Sequence, residues 1–487
     1  MYYIGADIGT SSVKLLLVDE AGRIQNTISK TYPLELLNNG WSQQNPEDWW
    51  TATVEGLKEL TAGIDPKEVR GIGCGGQMHG LVILDENNEV IRPCILWNDS
   101  RTVKETDYLN EVIGKEKLSS LTANIAFAGF TAPKILWVKN NEPENFCRIR
   151  RVMLPKDYIN FRLTGEYCSD YSDASGTLLL DVEHKCWSRE MCEICSVDEA
   201  WLPKLYESYE KVGEVNCVEL PFLKGVTVAA GAGDNAAAAV GTNTVAGQSC
   251  NISLGTSGTI FITDEHFAVD PHNALHAFAH ASGRYHLMGC MLSAASANTW
   301  FAHDILNEDS HSAMQAKIPE DLPGSNRVYF LPYLMGERSP LNDPDARACF
   351  VGMNMATKPH EMYLAVMEGV AFAIRDSLEV ARSLGINLKA STLCGGGAKS
   401  PLWRKIMANV LNIRIDIPET EEGPGYGGAL LAMTADGKYK SIDECAASFC
   451  RIRESIEPDP SLAAKYEAKY QTFRSIYPAL KEIFKKL

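Results

Sequence analysis

The chain has 487 residues, which is longer than one hydrophobic core usually grows, so we expect two domains of roughly 200–250 residues each. Apolar residues make up 45% and charged residues 22%, as in ordinary globular proteins. The net charge is −16 and no block of lysine and arginine stands out, which argues against nucleic acid or an anionic membrane as the main partner.

A signal peptide has a basic region followed by an apolar stretch, and the first residues show no such pattern. No apolar run reaches the ~18 residues that are needed to span a bilayer. We therefore expect a cytoplasmic protein whose 14 cysteines are reduced thiols, most of them buried.

One hairpin pattern occurs twice along the chain. Residues 3–19 are predicted to form a strand, a turn at Gly9-Thr10-Ser11 and a second strand, and residues 251–263 repeat the pattern. The repeat predicts a duplicated architecture of two α/β halves that face each other across a cleft. The boundary is expected near Ala246-Gly247, which gives domains 1–246 and 247–487.

Glycines between the two hairpins match a dinucleotide-binding fingerprint, G-x-G-x-x-G, at residues 71–76. Such a fingerprint should open a helix that receives a pyrophosphate. The residues that follow, 77–90, instead alternate like a strand that runs into an Asn-rich turn. We therefore interpret the match as accidental and disfavour an oxidoreductase.

A zinc site is conceivable at His184, Cys186, Cys192 and Cys195, because histidine and cysteine are the usual ligands of this metal. The segment around the C-x-x-C is predicted to be helical and no second C-x-x-C or H-x-x-x-H lies nearby, so a metal is disfavoured. Whether the four residues bind anything stays open. His276 and His280 lack the glutamate of a zinc protease and are predicted to be strand or loop residues.

The sequence has no P-loop motif but contains other parts that phosphoryl transfer requires. Two hydroxyl-rich turns and a triple glycine at Gly395–Gly397 offer backbone donors, and acidic residues follow strands. Asp234 ends a buried strand and heads a small-residue helix, where the helix dipole favours an ionised carboxylate. The alternative interpretation of Asp234 is a simple helix cap.

Residues 7–11, 233–235, 254–258 and 395–398 carry short motifs in the order found in carbohydrate kinases of the FGGY family. Residues 129–141 and 352–369 resemble the two signature segments of that family, and the likeness covers nearly the whole chain. The segments "GGQMHG", "LWNDSR" and "YLMGERSP" are most similar to those of the members that phosphorylate D-xylulose.

The resemblance implies an α/β fold of two ribonuclease-H-like, actin-type ATPase domains that face each other across a central cleft. It implies ATP-dependent transfer of a phosphoryl group to the terminal hydroxyl of D-xylulose, with Mg²⁺ as the companion of ATP. Sugar and ATP would then be the small-molecule partners. The first domain would bind the sugar, and the second would bind the nucleotide. A homodimer is left open.

The resemblance also assigns roles to particular residues. Asp234 would be the general base, and Asp7 would lie near Mg²⁺ and the transferring phosphate; its alternative role is to stabilise a turn. The sugar would be bound by Met78, His79, Asp234 and Asn235, with outer contributions from Trp97, Asn98, Asp99 and Arg101. The nucleotide would be bound by Thr10, Ser11, Gly255, Thr256, Gly396, Gly397 and Ala398, with Lys14, Lys399, Ser400 and Asn409 as weaker candidates.

Two segments depart from the family pattern, at residues 425–429 and at Arg347-Ala348, and both are expected in the supporting structure of the second domain. The glycines of residues 71–76 are expected to make room that brings Met78 and His79 to the sugar pocket. The alternatives are a kinase for ribulose, gluconate or glycerol, and a sugar sensor on the same fold. A sensor would carry a DNA-binding module, and none fits in this sequence.

Overall fold

Each half of the chain is built on a mixed sheet of seven strands in the computed structural model, which describes residues 1–37, 40–420 and 422–487. The strands of the first half are β1 Tyr2–Ile8, β2 Ser12–Asp19, β3 Ile24–Thr31, β4 Glu35–Leu37, β5 Trp41–Gln44, β6 Val69–Gly76, β7 Val82–Leu84, β8 Cys94–Ile95, β9 Arg151–Met153, β10 Cys168–Asp170, β11 Leu180–Asp181, β12 Cys186–Trp187, β13 Lys204–Tyr206, β14 Lys211–Glu214, β15 Thr227–Ala229 and β16 Ala232–Gly233. Its helices are α1 Pro46–Leu60, α2 Val103–Asp107, α3 Lys115–Thr122, α4 Thr131–Asn141, α5 Pro143–Arg148, α6 Pro155–Thr164, α7 Tyr171–Ala174, α8 Arg189–Cys195 and α9 Asp234–Gly241.

The second half repeats this scheme with longer helices. Its strands are β17 Cys250–Leu254, β18 Gly258–Asp264, β19 His276–Ala279, β20 Tyr285–Met291, β21 Tyr329–Leu331, β22 Cys349–Val351, β23 Ala390–Cys394, β24 Arg414–Pro418 and β25 Ile452–Ile456. Its helices are α10 Ala295–Trp300, α11 His311–Ala316, α12 Pro359–Ser383, α13 Pro401–Leu411, α14 Gly423–Ala435, α15 Ile442–Phe449 and α16 Pro460–Phe484.

The two main sheets share one strand order. In the first, β3, β2 and β1 are antiparallel neighbours, and β6 and β15 continue the sheet in parallel with β1. In the second, β20, β18 and β17 correspond to that antiparallel set, and β23 and β24 continue in parallel with β17. The predicted duplication of an α/β unit is thereby confirmed, whereas the boundary at residues 246 and 247 stays a prediction.

Helix α14 follows the last parallel strand of the second sheet but packs on the first sheet, against β1, β6 and α9. Glycines on both sides permit a direct contact between backbones. A Cβ at Gly5 would lie 1.8 Å from the carbonyl oxygen of Gly425, and one at Gly73 would lie 2.1 Å from that of Gly428. The expectation that residues 425–429 support the second domain is therefore wrong.

The glycines at residues 71–76 lie inside strand β6, and the chain continues from them towards β7, so they are not a dinucleotide fingerprint. Gly73 faces α14, Gly75 faces Ala237 of α9, and Gly76 faces Lys156 of α6. Because these glycines have no side chains, α14, α9 and α6 can pack closely on β6. This packing fixes the position of the strand that leads to Met78.

The four residues considered for zinc differ in their exposure. His184 and Cys186 are exposed, whereas Cys192 and Cys195 are buried in the core. Within the described ranges, no group of three or more His, Cys, Asp or Glu side chains is arranged to hold a metal ion. Among the helices that the structure describes, none combines the length and apolar character needed to cross a bilayer.

The contact between α14 and β6 can be tested with Gly73→Ala. The added methyl group would overlap a backbone carbonyl, which cannot move aside as a side chain can, so we expect the free energy of unfolding to fall by about 3 kcal/mol. Thermal denaturation followed by circular dichroism measures the change. Gly63→Ala is the matched control because a Cβ there meets open space. An unchanged melting temperature for Gly73→Ala would contradict the packing described.

Candidate active site

Two carboxylates, those of Asp7 and Asp234, lie at the same end of the first sheet, where β1 and β16 flank β6. Asp7 lies near the end of β1, opposite Lys14 of β2 and beside Gly75 of β6. Burial and the negative charge of Asp234 raise the pKa of Asp7 to about 7. Since like charges influence each other in this way only at short range, the two carboxylates share one site.

Asp234 is the first residue of α9, and Gly233 occupies the cap position before it. Its Oδ1 accepts hydrogen bonds from the backbone nitrogen of Asn235 at 2.7 Å and from Nδ2 of Asn235 at 2.8 Å. Burial raises the pKa of Asp234 to about 6, although these hydrogen bonds oppose the rise. The carboxylate is therefore ionised at neutral pH and more basic than an ordinary aspartate, which suits a proton acceptor.

Met78 and His79 follow strand β6 and reach the same place. Met78 is buried against Gly233, where a Cβ would lie 3.0 Å from its sulfur. The Nδ1 of His79 donates to the carbonyl oxygen of Gly176 over 2.8 Å. Burial lowers the pKa of His79 to about 3, so the ring is neutral. A neutral ring that donates through Nδ1 has an acceptor at Nε2, which can receive a hydrogen bond from a substrate hydroxyl.

Lys134 of α4 holds His79 in place, and sequence reasoning did not single it out. His79 has a left-handed backbone with φ of 69°. Its carbonyl oxygen accepts from Nζ of Lys134 at 2.7 Å and from Oγ1 of Thr131 at 3.1 Å. Burial lowers the pKa of Lys134 to about 7. The available signal was its place inside the family signature segment.

An aromatic wall lies behind His79 and is formed by both halves. Phe130 stacks on His79 with ring centroids 4.7 Å apart, and Phe127 lies 5.0 Å from His276. His276 and Phe278 belong to β19, the edge strand of the second sheet, and their rings stack at 5.5 Å. Sequence reasoning considered His276 only as a metal ligand and missed this wall.

Hydrogen bonds join β19 directly to the first half. The side chain of Asn124 exchanges two hydrogen bonds with the backbone of Ala277, at 2.8 and 3.2 Å. The backbone nitrogen of Ala279 donates to Oγ of Ser175 at 2.9 Å. The second half therefore contributes to the surroundings of His79 through an edge strand that is held in register.

The turn between β1 and β2 places Thr10 and Ser11 next to Asp7. Oγ1 of Thr10 accepts from Nε1 of Trp97 at 3.0 Å and donates to Oε1 of Gln77 at 3.2 Å, whereas Ser11 is exposed. Lys14 forms an ion pair with Glu422 beside the start of α14. Thr10 thus connects the turn to the strand end that carries Met78.

The remaining residues of the segment 97–101 play different parts. Trp97 and Asn98 are exposed. Asp99 and Arg101 form a buried ion pair of 2.8 Å, with the guanidinium 4.5 Å from the ring centroid of Trp41. This pair supports the fold beneath the exposed Trp97.

Two cavities in the second half meet at the ends of β17 and β23. One of about 600 Å³ is lined by Gly255, Thr256, Ala295, Ser296, Thr299, Trp300, His303, Asp304 and Gly396. The other, of about 390 Å³, is lined by Ala295, Asn298, Thr299, His311, Ser312, Gln315, Gly396, Gly397, Lys399, Ser400, Pro401 and Trp403. They share Ala295, Thr299 and Gly396, so together they offer a continuous space for an elongated ligand.

Only some of the residues that were predicted to bind the nucleotide line these cavities. Gly255, Thr256, Gly396 and Gly397 line the cavities, as do the weaker candidates Lys399 and Ser400. Ala398 is buried and lines neither. Asn409 is also buried, and its amide bonds the backbone of Lys405 and of Asp459. Sequence reasoning missed the wall formed by α10.

A third carboxyl lies behind the pair. Asp173 is fully buried, and neither of its side-chain oxygens has a hydrogen-bond partner in the residues that the structure describes. Burial and the charges of neighbouring carboxylates raise its pKa well above the usual range, while Lys156 opposes the rise. A buried carboxyl in such surroundings is neutral.

Comparison with known proteins gives consistent results for the whole chain. The N-terminal domain model of the FGGY family of carbohydrate kinases matches residues 2–241, and the C-terminal domain model matches residues 250–435. The xylulose kinase of Escherichia coli K12 is 40% identical over 488 aligned positions, which cover 98% of this chain and 99% of the relative.

Solved structures share the architecture. A xyloylose kinase from Brucella ovis superimposes with a TM-score of 0.94 at 39% identity, covering 99% of this chain and 100% of that one. A gluconate kinase from Lactobacillus acidophilus also gives 0.94, at 26% identity, covering 100% and 99%. The actin-like ATPase fold expected from the sequence is confirmed, and this chain belongs to the FGGY family of carbohydrate kinases.

Proposed function

We propose that this protein transfers the terminal phosphoryl group of ATP to the 5-hydroxyl of D-xylulose and produces D-xylulose 5-phosphate. The observation that carries the proposal is the position of Asp234, an ionised and unusually basic carboxylate beside Met78, His79 and Asn235. The full-length likeness to xylulose kinases supports the choice of sugar.

In the proposed reaction Asp234 accepts the proton of the 5-hydroxyl while that oxygen attacks the terminal phosphorus of ATP. The bond from this phosphorus to the bridging oxygen breaks, and ADP leaves. Asn235 holds Oδ1 of Asp234 through two hydrogen bonds, which leaves Oδ2 to face the hydroxyl. His79 accepts a hydrogen bond from another sugar hydroxyl at Nε2. Met78 provides an apolar contact, so the pocket combines directional and apolar contacts.

The phosphates of ATP would lie between the two hairpin turns, with backbone and hydroxyl donors from Thr10, Ser11, Gly255 and Thr256. The adenosine would occupy the cavities at Gly396 and Gly397. Closure of the halves would exclude water, which otherwise competes with the sugar as acceptor.

Mg²⁺ is the metal that we propose to accompany ATP. In the described residues neither Asp7 nor Asp234 is held in an ion pair, and the charge of Asp234 raises the pKa of Asp7. This donor set fits Mg²⁺, which binds through one or two carboxylates together with substrate phosphates and water. Asp7 would hold the ion, whose charge would stabilise the transferring phosphoryl group.

A gluconate kinase is the second candidate, because a solved structure of that activity superimposes equally well. Initial rates with D-xylulose, D-ribulose, D-gluconate and glycerol in an ADP-release assay decide between them. The assignment requires D-xylulose to have the highest kcat/KM. The cytoplasmic location and the homodimer stay predictions.

Asp234→Asn tests the general base. Asparagine has nearly the same shape as aspartate but cannot accept the proton. We expect kcat to fall by about 10²–10⁴-fold. ATP binding, measured by calorimetry, should be unchanged, and the melting temperature should not fall, because the substitution removes a charge that burial disfavours. Retention of most turnover would show that Asp234 serves the helix and not the reaction.

The pH dependence of kcat/KM provides an independent test. Because Asp234 is active only when ionised and its pKa is about 6, kcat/KM should fall about tenfold for each pH unit below that value. The same measurement on Asp234→Asn serves as the control, since its residual activity should lack this acidic limb. A wild-type profile that is flat down to pH 5 would contradict the assignment.

A graded series at Gly396 tests the nucleotide site. A Cβ there meets open space, so a side chain projects into the cavity without disturbing the fold. We expect Gly396→Ala to change the KM for ATP little and Gly396→Val to raise it by about tenfold or more, which corresponds to ~1.4 kcal/mol. The KM for the sugar should stay constant. Equal KM values for ATP in all three proteins would place the nucleotide elsewhere.

A further inference from the structure

The loop between β21 and β22 carries an arginine to the aromatic wall of the sugar site. The guanidinium carbon of Arg338 lies 5.6 Å from the ring centroid of Phe127. Phe127 is 5.4 Å from Phe130, which stacks on His79. A positive charge from the second half therefore stands at the end of a wall that the first half begins.

The backbone on both sides of Arg338 is fixed to strand β20. The carboxylate of Glu337, which is 2% exposed, accepts from the backbone nitrogens of Leu292 at 3.0 Å and of Arg338 at 2.8 Å. The backbone nitrogen of Ser339 donates to the carbonyl oxygen of Cys290 at 3.0 Å. The direction of the Arg338 side chain is thus determined by the fold.

Cys290 links this guanidinium to the reacting carboxylate. Burial raises the pKa of the Cys290 thiol, the charge of Asp234 raises it further, and the charge of Arg338 with a hydrogen bond from its side chain lowers it. Cys290 therefore lies within electrostatic range of Asp234 on one side and of Arg338 on the other.

Arg338 is half-buried, and its guanidinium has no ion-pair partner within 4.0 Å in the described part of the chain. A guanidinium has five N–H donors and no acceptor. Donors that are partly removed from water and lack a carboxylate favour a ligand oxygen. We propose that Arg338 binds an oxygen of the sugar other than the reacting hydroxyl, so that the second half completes the sugar pocket; the inference rests on the proposed function.

Initial-rate kinetics of Arg338→Met and Arg338→Lys test the proposal. A charged hydrogen bond to the sugar predicts that the KM for D-xylulose rises by about 10–100-fold in Arg338→Met and less in Arg338→Lys. The kcat and the KM for ATP should change by less than about threefold. The melting temperature should change by no more than about a few degrees. Arg347→Met is the matched control, because among the described residues the Arg347 guanidinium bonds only the backbone carbonyls of Pro344 and Ala346 on the same loop.

Three results would overturn the proposal. A fall in kcat with an unchanged KM for the sugar would place Arg338 on the transferring phosphoryl group. A lower melting temperature together with a higher KM for ATP would show that it only joins the halves. An unchanged KM for the sugar with no other effect would show that it lies outside the pocket. If the wild type prefers another sugar of the panel, the proposed substrate fails, and the Arg338 series is measured with that sugar.

Discussion

The backbone contact between α14 and the first sheet is the constraint on which the geometry of the site depends. Three elements bear the residues proposed to react and to bind sugar: β1 ends near Asp7, β6 leads to Met78, and α9 begins at Asp234. All three pack on α14. On α9 the contact is as close as on the strands, since a Cβ at Gly427 would lie 1.8 Å from the carbonyl oxygen of Ala237. Backbone atoms in contact cannot rearrange as side chains do, so the three elements keep one relative position.

The same edge concentrates negative charge that the fold does not neutralise. Burial raises the pKa values of Asp7 and Asp234, and neither is held by a basic side chain in the residues described. Folding therefore works against the ionisation of both groups, and removal of either charge would stabilise the protein above neutral pH. Asp173 adds no further negative charge, because burial raises the pKa of its carboxyl and keeps it protonated. A site with this excess of negative potential favours a nucleotide that arrives with a divalent cation.

How much could be predicted from the sequence depends on the range of the interactions. The two hairpins, the helix headed by Asp234 and the loop at Gly395–Gly397 follow from local patterns, and each is found where it was expected. The position of α14 could not be predicted in this way, because its composition shows that it is buried but not which sheet covers it. Phe127 and His276 are likewise distant in sequence, and only the pairing of Asn124 with β19 brings them together. The direction of the Ala398 side chain, which is buried, could not be predicted either, because a residue beside a glycine turn can face the cavity or the core.

The proposed sugar site would divide its donors and acceptors between the two halves of the protein. His79 is a neutral ring whose Nδ1 is occupied by Gly176, so it presents only an acceptor to the ligand, and a hydroxyl must donate to it. Arg338, on the opposite half, presents only donors. A ketose offers hydroxyl groups and also a carbonyl oxygen that can only accept, so it satisfies both sides of such a pocket. A hydroxyl oxygen can also accept from a guanidinium, so such a pocket would discriminate between sugars by the positions of their oxygens. In the proposed complex the sugar contacts His79 on the first half and Arg338 on the second, so recognition of the sugar and the approach of the two halves would depend on the same hydrogen bonds.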